Sequence, residues 1–345
     1  MSAGNGRAPV EFADRPIDAA LRCGRSSRTA AVAGVHRRRD VVSDGMSDDE
    51  IRRRCAGGAW RRVRRGTYAE STAVADPDPM ARHRLAVAAL LPEMASDAVV
   101  SHQSAAVLLG APMAPALLDR VHVTRNRRNG GRIKTNVQVH CAPVEFVADR
   151  AGLVVTSPAR TVVDLARTVA FEPAVVVGDA LSREFGVTAA DLARELEAAR
   201  GRRGAHTARR IAGFLDPGST GVAESRARVL LWRLGFPPAG AGGLVCADDG
   251  TVLGSIDIHL ARLGVVITIA GTPEDERRSA ERGPSDALLR RYGFHLVRTS
   301  LRDLAAGAST ARLRAAVARA REEPARGIVR PVPPPAPSPL RLRRL

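Results

Sequence analysis

The residues best suited to bind a charged ligand are arginines concentrated between His36 and Tyr68. Ten arginines stand there against five acids, which leaves a local charge of +5. A guanidinium group donates hydrogen bonds in a planar fork that fits phosphate oxygens. This segment therefore predicts a surface that binds the phosphates of nucleic acid. The side chains expected to make these contacts are Arg38, Arg39, Arg52, Arg53, Arg61, Arg62, Arg64 and Arg65.

The local signals in this segment predict helices followed by a β-hairpin. Ser47 is placed to cap a helix at about 48–56. Three acids in the first turn of that helix suit its dipole, and Glu50 would complete a capping box with the serine. Two glycines end the helix, and the segment WRRVRRGTY after them suits a short hairpin that turns at the arginine–glycine step.

Helix, turn, helix and basic hairpin in this order predict a winged helix-turn-helix at residues 36–69. In such a module the second helix enters the major groove of DNA and the hairpin lies along the phosphates. A solvated arginine-rich surface is the alternative, because the chain is rich in arginine throughout. We favour DNA binding because the arginines coincide with an element order that needs them.

The overall charge agrees with a polyanionic partner. The 345 residues include 53 Lys and Arg against 36 Asp and Glu, a net charge of +17. This excess favours nucleic acid first and an anionic membrane surface second. Because Lys134 is the only lysine, the arginine abundance indicates GC-rich codon usage and carries less weight by itself. A hydrophobic content of 45% allows two or three domains with real cores.

Cysteine usage and hydropathy predict a cytoplasmic protein. Cys23, Cys55, Cys141 and Cys246 are far apart and form no CxxC pair, so neither a zinc knuckle nor a disulfide framework is indicated. No apolar run reaches the roughly 18 residues of a membrane span, and the N-terminus lacks an apolar signal core. We expect reduced thiols and no membrane partner.

The rest of the chain alternates helical and strand-like segments after a small-residue-rich arm at 1–35 and a linker at 70–79. Strand-like segments are RVHVT at 120–124, NVQVH at 136–140 and LVVT at 153–156. Helices are expected from Pro158, after Ser157 as its cap, and at about 171–184, 188–199 and 205–214. The alternation at 80–215 predicts an α/β or α+β domain. Three histidines in it, His102, His122 and His140, have side chains that serve as bases or metal ligands. Their spacing links none of them to another, so we favour a structural role.

Several motifs occur in an order that resembles the AbiEi-type antitoxin family of actinobacteria. The order runs from EIRRRCAGGAWRRVRRGTYA through VVSHQSAAVLLGAP and RVHVT to LVVTSPARTVVDLAR and VVVGDALSR, and covers about residues 37–215. The resemblance implies a winged helix that binds operator DNA and represses its own operon. It also implies an antitoxin role in a type IV toxin–antitoxin system, with a separately encoded toxin as partner. Palindromic operators would require a dimer on DNA.

In the C-terminal segment at 221–322, the helix GVAESRARVLLWRLGF at 221–236 comes first. The strands TVLGSIDIHL and GVVITIAG, a helix at about 284–292, the strand GFHLVRTS and a final helix from about 301 to 321 follow. This order resembles restriction-endonuclease-like domains, and more narrowly the Vsr-like nuclease domains found behind AbiEi-type modules. Such nucleases hold Mg²⁺ with carboxylates beside the scissile phosphate. The resemblance puts Glu224 and Asp257 at the first two acidic positions. In the next strand Thr268 and Ala270 replace the expected acids, and Glu274 stands near the basic position.

We therefore expect a vestigial site without turnover and without a cofactor, with Glu274 or Asp275 as the remaining acids that could approach it. The alternative is a Mg²⁺-dependent endonuclease targeted by the winged helix. A proline-rich tail at 323–345 ends in a basic cluster and is expected to be disordered. The predicted fold class is α/β (α+β), multidomain, and the leading hypothesis is a DNA-binding autoregulator and antitoxin.

Overall fold

The described residues form three β-sheets with helices around them, a mixed α/β structure that confirms the predicted class at that level. Most of the predicted N-terminal arm, with Cys23, lies outside the described residues, and so do Glu274 and Asp275. The residues described by this computed structural model are 34–75, 78–91, 94–127, 130–134, 136–150, 152–260, 263–270 and 286–345.

A small antiparallel sheet occupies the arginine-rich segment. Its elements in chain order are β1 (Val35–Arg37), α1 (Arg38–Ser43), α2 (Asp48–Ala56), β2 (Trp60–Arg64) and β3 (Thr67–Glu70). Strand β3 lies between β1 and β2. The turn before α2 and the turn of the hairpin contain Gly45 and Gly66 with φ angles of 94° and 68°, a conformation that glycine adopts without steric cost.

Helix α2 begins where the sequence predicts. The Ser47 hydroxyl accepts a hydrogen bond from the Glu50 N–H at 3.2 Å. The Glu50 carboxylate does not complete the expected capping box, because it accepts hydrogen bonds from the guanidinium groups of Arg53 and Arg54 one turn later. Ile51 is buried beneath the helix, so the charged residues stay on its outer side.

The predicted linker at 70–79 is partly helical. Helix α3 (Ser71–Val74) is a single turn, and α4 (Pro79–Leu90) follows. The Asp78 carboxylate caps α4 by accepting hydrogen bonds from two backbone N–H groups of its first turn, at 2.9 and 3.2 Å. Pro79 fits the first helical position, where no intrahelical partner exists for an N–H.

A seven-stranded mixed sheet follows. Six of its strands and one helix lie here, and the seventh strand comes from the end of the chain. These elements are β4 (Ala98–Val100), α5 (His102–Leu108), β5 (Val121–Arg125), β6 (Arg132–Lys134), β7 (Val137–Cys141), β8 (Phe146–Arg150) and β9 (Leu153–Thr156). Strands β5, β7 and β9 were predicted from the sequence, and β4, β6 and β8 were not. Strands β5 and β7 are parallel, with Thr124 beside His140. Helix α5 is buried along its whole length.

Helices fill the next part of the chain and match their predicted ranges within about two residues. They are α6 (Pro158–Thr168), α7 (Phe171–Phe185), α8 (Ala189–Ala198) and α9 (Ala205–Ala212). The start of α8 is a capping box, in which Thr188 and Asp191 each bond the other's backbone N–H. Inside this group, Arg160 is buried against the Asp164 carboxylate at 2.8 Å.

The last sheet has five strands, of which the two at one end, β12 and β13, are parallel. Its elements are α10 (Val222–Arg233), β10 (Gly240–Cys246), β11 (Val252–Leu260), β12 (Val265–Ala270), α11 (Asp286–Arg291), β13 (His295–Ser300), α12 (Leu301–Ala305), α13 (Thr310–Glu322) and β14 (Ile328–Arg330). The single final helix expected from 301 is broken into two, because Gly307 adopts a φ of 73° that ends the first.

The expectation of a disordered tail is wrong for two short segments. Strand β14 adds to the edge of the last sheet by pairing with β10, and β15 (Leu342–Arg344) pairs with β8 at the edge of the seven-stranded sheet. Edge strands present unpaired N–H and C=O groups, which an extended proline-poor segment can satisfy. All of the tail's prolines except Pro324 lie between the two strands in the chain.

The described chain divides into two compact units. One contains the described residues up to 108, residues 115–157 and the last five residues, and the other contains 109–114 and the described residues of 158–340. The predicted boundaries at 36–69, 80–215, 221–322 and 323–345 stay predictions. No helix among the described residues is both long enough and apolar enough to cross a membrane.

A buried ion pair fixes α10 to α7 within the second unit. The Asp179 carboxylate accepts hydrogen bonds from Arg228 Nη1 (2.9 Å), the Ser225 hydroxyl (2.7 Å) and the Asp216 N–H (2.8 Å). Arg228 also donates to two backbone carbonyls. Burial raises the pKa of Asp179 to about 6, against the opposing effect of the Arg228 charge.

We predict that Arg228→Ala lowers the free energy of unfolding by about 3–5 kcal/mol, because it leaves Asp179 buried without its cation. Urea denaturation of the full chain measures this loss. The matched control is Arg226→Ala on the same helix, which removes a partly exposed pair with Glu172 and should cost about 0–1 kcal/mol. Equal losses in the two variants would contradict a special role for the buried pair.

Candidate functional site

The arginines of α1 and α2 are exposed but already paired with nearby acids. These pairs join Arg38 to Asp48, Arg39 to Asp40, Arg52 to Asp49, and both Arg53 and Arg54 to Glu50. The bond from Arg38 lowers the pKa of Asp48, and the bonds from Arg53 and Arg54 lower the pKa of Glu50. The acids of the α2 first turn therefore neutralise much of the positive charge that the sequence places there.

The hairpin carries positive charge without this neutralisation. Arg61, Arg62 and Arg65 are exposed, and no carboxylate among the described residues pairs with them. The sequence from Gly57 to Gly66 contains no acid. The Arg62 guanidinium donates only to a backbone carbonyl of the same hairpin, at 3.4 Å. The β2–β3 hairpin is therefore the part of the predicted DNA-binding surface with the most available positive charge.

The predicted arginine Arg64 differs from its neighbours because it is half-buried. Its strand shifts register against β3 between Arg62 and Arg64, an irregularity of the kind that re-aims side chains. Of the four hairpin arginines predicted to contact phosphate, three are thus exposed on the surface and one is turned partly inward.

Aromatic packing holds the hairpin against α2. Trp60, at the start of β2, is 5% exposed and stacks on His36 of β1 with ring centroids 4.2 Å apart. The Arg54 guanidinium of α2 lies 5.0 Å from the centre of the Trp60 ring, within cation–π range. Burial lowers the pKa of His36, which favours a neutral ring in this stack. This aromatic anchor was not predicted from the sequence.

The two predicted vestigial acids are engaged with backbone groups. Glu224 accepts hydrogen bonds from the backbone N–H of Thr220, at 2.7 Å, and from its hydroxyl. Asp257 on β11 accepts from the Ile269 N–H of β12, at 2.8 Å. Arg226 and Arg228 of α10 bond Glu172 and Asp179 on α7.

No carboxylate stands on the described strand β12, which reads VVITIA. Thr268 occupies the position at which the resemblance expects a glutamate, and it is buried. Glu224 and Asp257 belong to no set of three neighbouring metal-ligand groups within the parts of the chain that the structure describes. Strand β12 therefore supplies no further carboxylate for a Mg²⁺ site.

The three histidines that the sequence left unconnected lie together. His102 is the first residue of the buried helix α5, and His122 and His140 stand on the adjacent parallel strands β5 and β7. The rings of His102 and His140 stack with centroids 3.7 Å apart, and His122 Nδ1 lies 3.1 Å from His140 Nε2. Their spacing in the sequence did not indicate this contact. The contact depends on the register of paired strands, which the sequence does not show.

Hydroxyl groups and a fourth histidine surround this histidine cluster. The Ser101 hydroxyl lies 2.9 Å from His102 Nδ1 and accepts a hydrogen bond from Thr124 at 2.8 Å. The Ser104 hydroxyl lies 2.8 Å from His83 Nε2 and accepts from the His122 N–H at 2.8 Å. Burial, with the neighbouring His140 and His83, lowers the pKa of His122 to about 4, so its ring is neutral near pH 7.

Comparison with known proteins adds no relative. No protein-family model matches the chain, and no curated protein matches it. These comparisons do not bear on the resemblance to AbiEi-type antitoxins, which stays an expectation. The function is therefore inferred from the positions and charges of the chain's own residues.

We predict that acid destabilises the protein through His122. Its pKa of about 4 in the fold lies below the usual value near 6.5, so the unfolded chain takes up a proton first as the pH falls. The free energy of unfolding should decrease between pH 6.5 and 4, by up to about 3 kcal/mol from this group. Urea denaturation at a series of pH values measures the slope.

The slope should become shallower in His122→Asn and stay unchanged in His206→Asn, a control at an exposed histidine. Parallel pH profiles for wild type and His122→Asn would show that His122 does not carry the effect.

Proposed function

We propose that the chain binds duplex DNA through the β2–β3 hairpin and helix α2. The observation that carries the proposal is the set of exposed hairpin arginines, Arg61, Arg62 and Arg65, without a described acidic partner. The element order β1–α1–α2–β2–β3, with β3 central in the sheet, supports a winged helix-turn-helix. In that architecture the hairpin follows the phosphate backbone and the second helix meets base edges.

Helix α2 has a different role from the hairpin in this proposal. The Arg52 and Arg53 side chains are 76% and 71% exposed, and both are held by acids of the preceding turn. Exposed ion pairs of this kind contribute at most about 1 kcal/mol, so the guanidinium groups can exchange their carboxylates for DNA. Arginine bonds two guanine acceptors in the major groove. The hairpin thus supplies affinity and α2 supplies sequence preference.

The resemblance to AbiEi-type antitoxins gives this binding a biological role. If the resemblance holds for function, the chain represses its own operon in the cytoplasm, with two copies of the chain on a palindromic operator. It also neutralises a separately encoded toxin. The support from the residues extends to DNA binding, and the antitoxin role and the toxin partner rest on the resemblance alone.

The C-terminal part is best explained as a nuclease-like scaffold without turnover. The order α10–β10–β11–β12–α11–β13, with β12 parallel to β13, supports a restriction-endonuclease-like core. Glu224 and Asp257 accept backbone hydrogen bonds, and β12 offers no acid beside them. These contacts favour a structural use of both carboxylates over the holding of Mg²⁺.

We predict that replacing Arg61, Arg62 and Arg65 together by Ala weakens binding to duplex DNA roughly 10- to 100-fold, because three phosphate contacts are lost. The slope of log affinity against log salt concentration should become shallower by roughly 3, about 0.9 for each contact. Gel shifts with the duplex upstream of the gene, at several salt concentrations, measure both quantities.

The matched control replaces Arg314, Arg319 and Arg321, exposed on α13, by Ala and removes the same net charge. It should retain nearly full affinity. If the two triple variants lose affinity equally, the binding comes from overall charge and the hairpin has no special role.

We predict that the wild-type protein leaves duplex DNA intact in Mg²⁺ or Mn²⁺, because β12 supplies no third acidic ligand. Incubation with supercoiled plasmid, followed by electrophoresis, measures nicking with high sensitivity. Metal-dependent nicking that disappears when Glu224 and Asp257 are changed to Ala would establish the endonuclease alternative and contradict the scaffold proposal.

A further inference from the structure

The histidine cluster has the composition of a transition-metal site. One side-chain nitrogen from each of His102, His122 and His140 can be chosen so that all three lie within 4.8 Å of one another. It is the one group of three such ligands among the described histidines, cysteines and acids. Neutral imidazole is the commonest protein ligand for divalent transition metals, and three imidazoles with an open fourth position form a known zinc arrangement.

The spacing of His122 and His140 fits coordination of one ion. Zn–N bonds of about 2.0–2.1 Å in a tetrahedron put two ligand nitrogens about 3.3 Å apart. The observed distance between His122 Nδ1 and His140 Nε2 is 3.1 Å, close to that edge. His102 lies flat on His140, with 13° between the ring planes, so its ring must turn off the stack to direct a nitrogen at the same ion.

Neighbouring groups prepare His102 for such a role. The Ser101 hydroxyl oxygen can accept a hydrogen bond from His102 Nδ1–H, and in that tautomer the lone pair of the ring lies on Nε2. Outer partners of this kind orient metal-binding histidines and fix their tautomer. His102 also has a φ of 52°, the one described non-glycine residue with positive φ. Such strained backbone conformations concentrate at functional sites.

We propose that His102, His122 and His140 bind one divalent transition-metal ion of the zinc class. Imidazole ligands suit Zn²⁺, Cu²⁺, Ni²⁺ and Fe²⁺ and disfavour Mg²⁺ and Ca²⁺, which select oxygen. His140 is half-buried, so the cluster reaches the protein surface at that residue. The site is distinct from the hairpin arginines and from Glu224 and Asp257, and it does not depend on DNA binding.

The first experiment is a titration of the chelator-treated full chain with Zn²⁺, against a competing chromophoric chelator, and with Co²⁺, followed by visible absorption. We expect saturation at one ion per chain and the intense absorption of four-coordinate Co²⁺. His140→Gln and His102→Gln should each weaken Zn²⁺ binding at least about tenfold, and Ser101→Ala to a smaller extent. His206→Gln, at an exposed histidine, should bind as wild type does.

X-ray absorption of the Zn²⁺-loaded wild-type chain tests the ligand set without any substitution, so a variant that fails to fold does not prevent the test. The proposal predicts scattering from three imidazole rings. A ligand shell dominated by oxygen, or by a cysteine sulfur, would overturn it. So would a lack of saturable Zn²⁺ binding, or binding by folded His140→Gln that equals the wild-type affinity.

Discussion

A buried guanidinium group is stable only beside a carboxylate or carbonyl that compensates it, and much of the described structure is arranged around this requirement. Arg228 reaches Asp179 and joins α10 to α7, while Arg160 reaches Asp164 within the helical group. The same pairing continues on the surface of α2, where the acids of its first turn hold the arginines of the next. The hairpin between β2 and β3 departs from this pattern, because its exposed arginines have no acid nearby in the sequence. The hairpin thus carries exposed arginines whose charge no acid of the same segment neutralises.

The hairpin and the histidine cluster depend on packing in different ways. Trp60 contacts both His36 of β1 and Arg54 of α2. These contacts fix the hairpin relative to α2, as the proposed DNA contact by both elements requires. The histidine cluster depends instead on strand pairing, since parallel β5 and β7 bring His122 and His140 to the same face. Neither arrangement can be obtained from one local segment. In each case a short local motif is completed by a residue from a neighbouring element.

Local sequence signals were enough to predict most of the secondary structure. The elements that were not predicted have physical explanations. Ser47 begins α2 as expected because an N-cap acts within four residues. Strand β10 was not predicted because GAGGLVC is rich in glycine, which is uncommon in strands, and because one of its two partners, β14, lies far along the chain. Among the candidate sites, the exposed hairpin arginines were predictable from charge density. The pairing of the α2 arginines with acids could not be predicted without the side-chain positions. The histidine cluster could not be predicted because it depends on a strand register that no spacing in the sequence reveals.

The measurement that tests DNA recognition most directly compares two duplexes of equal length and composition, one taken from upstream of the gene and the other its scrambled counterpart. Affinities for both are measured with the full chain at two salt concentrations, because phosphate contacts weaken steeply with salt whereas base contacts weaken less. The account predicts preference for the upstream duplex that persists at the higher salt concentration. Equal affinities that disappear together at the higher concentration would contradict it, and would reduce the arginine surface to nonspecific attraction of polyanions.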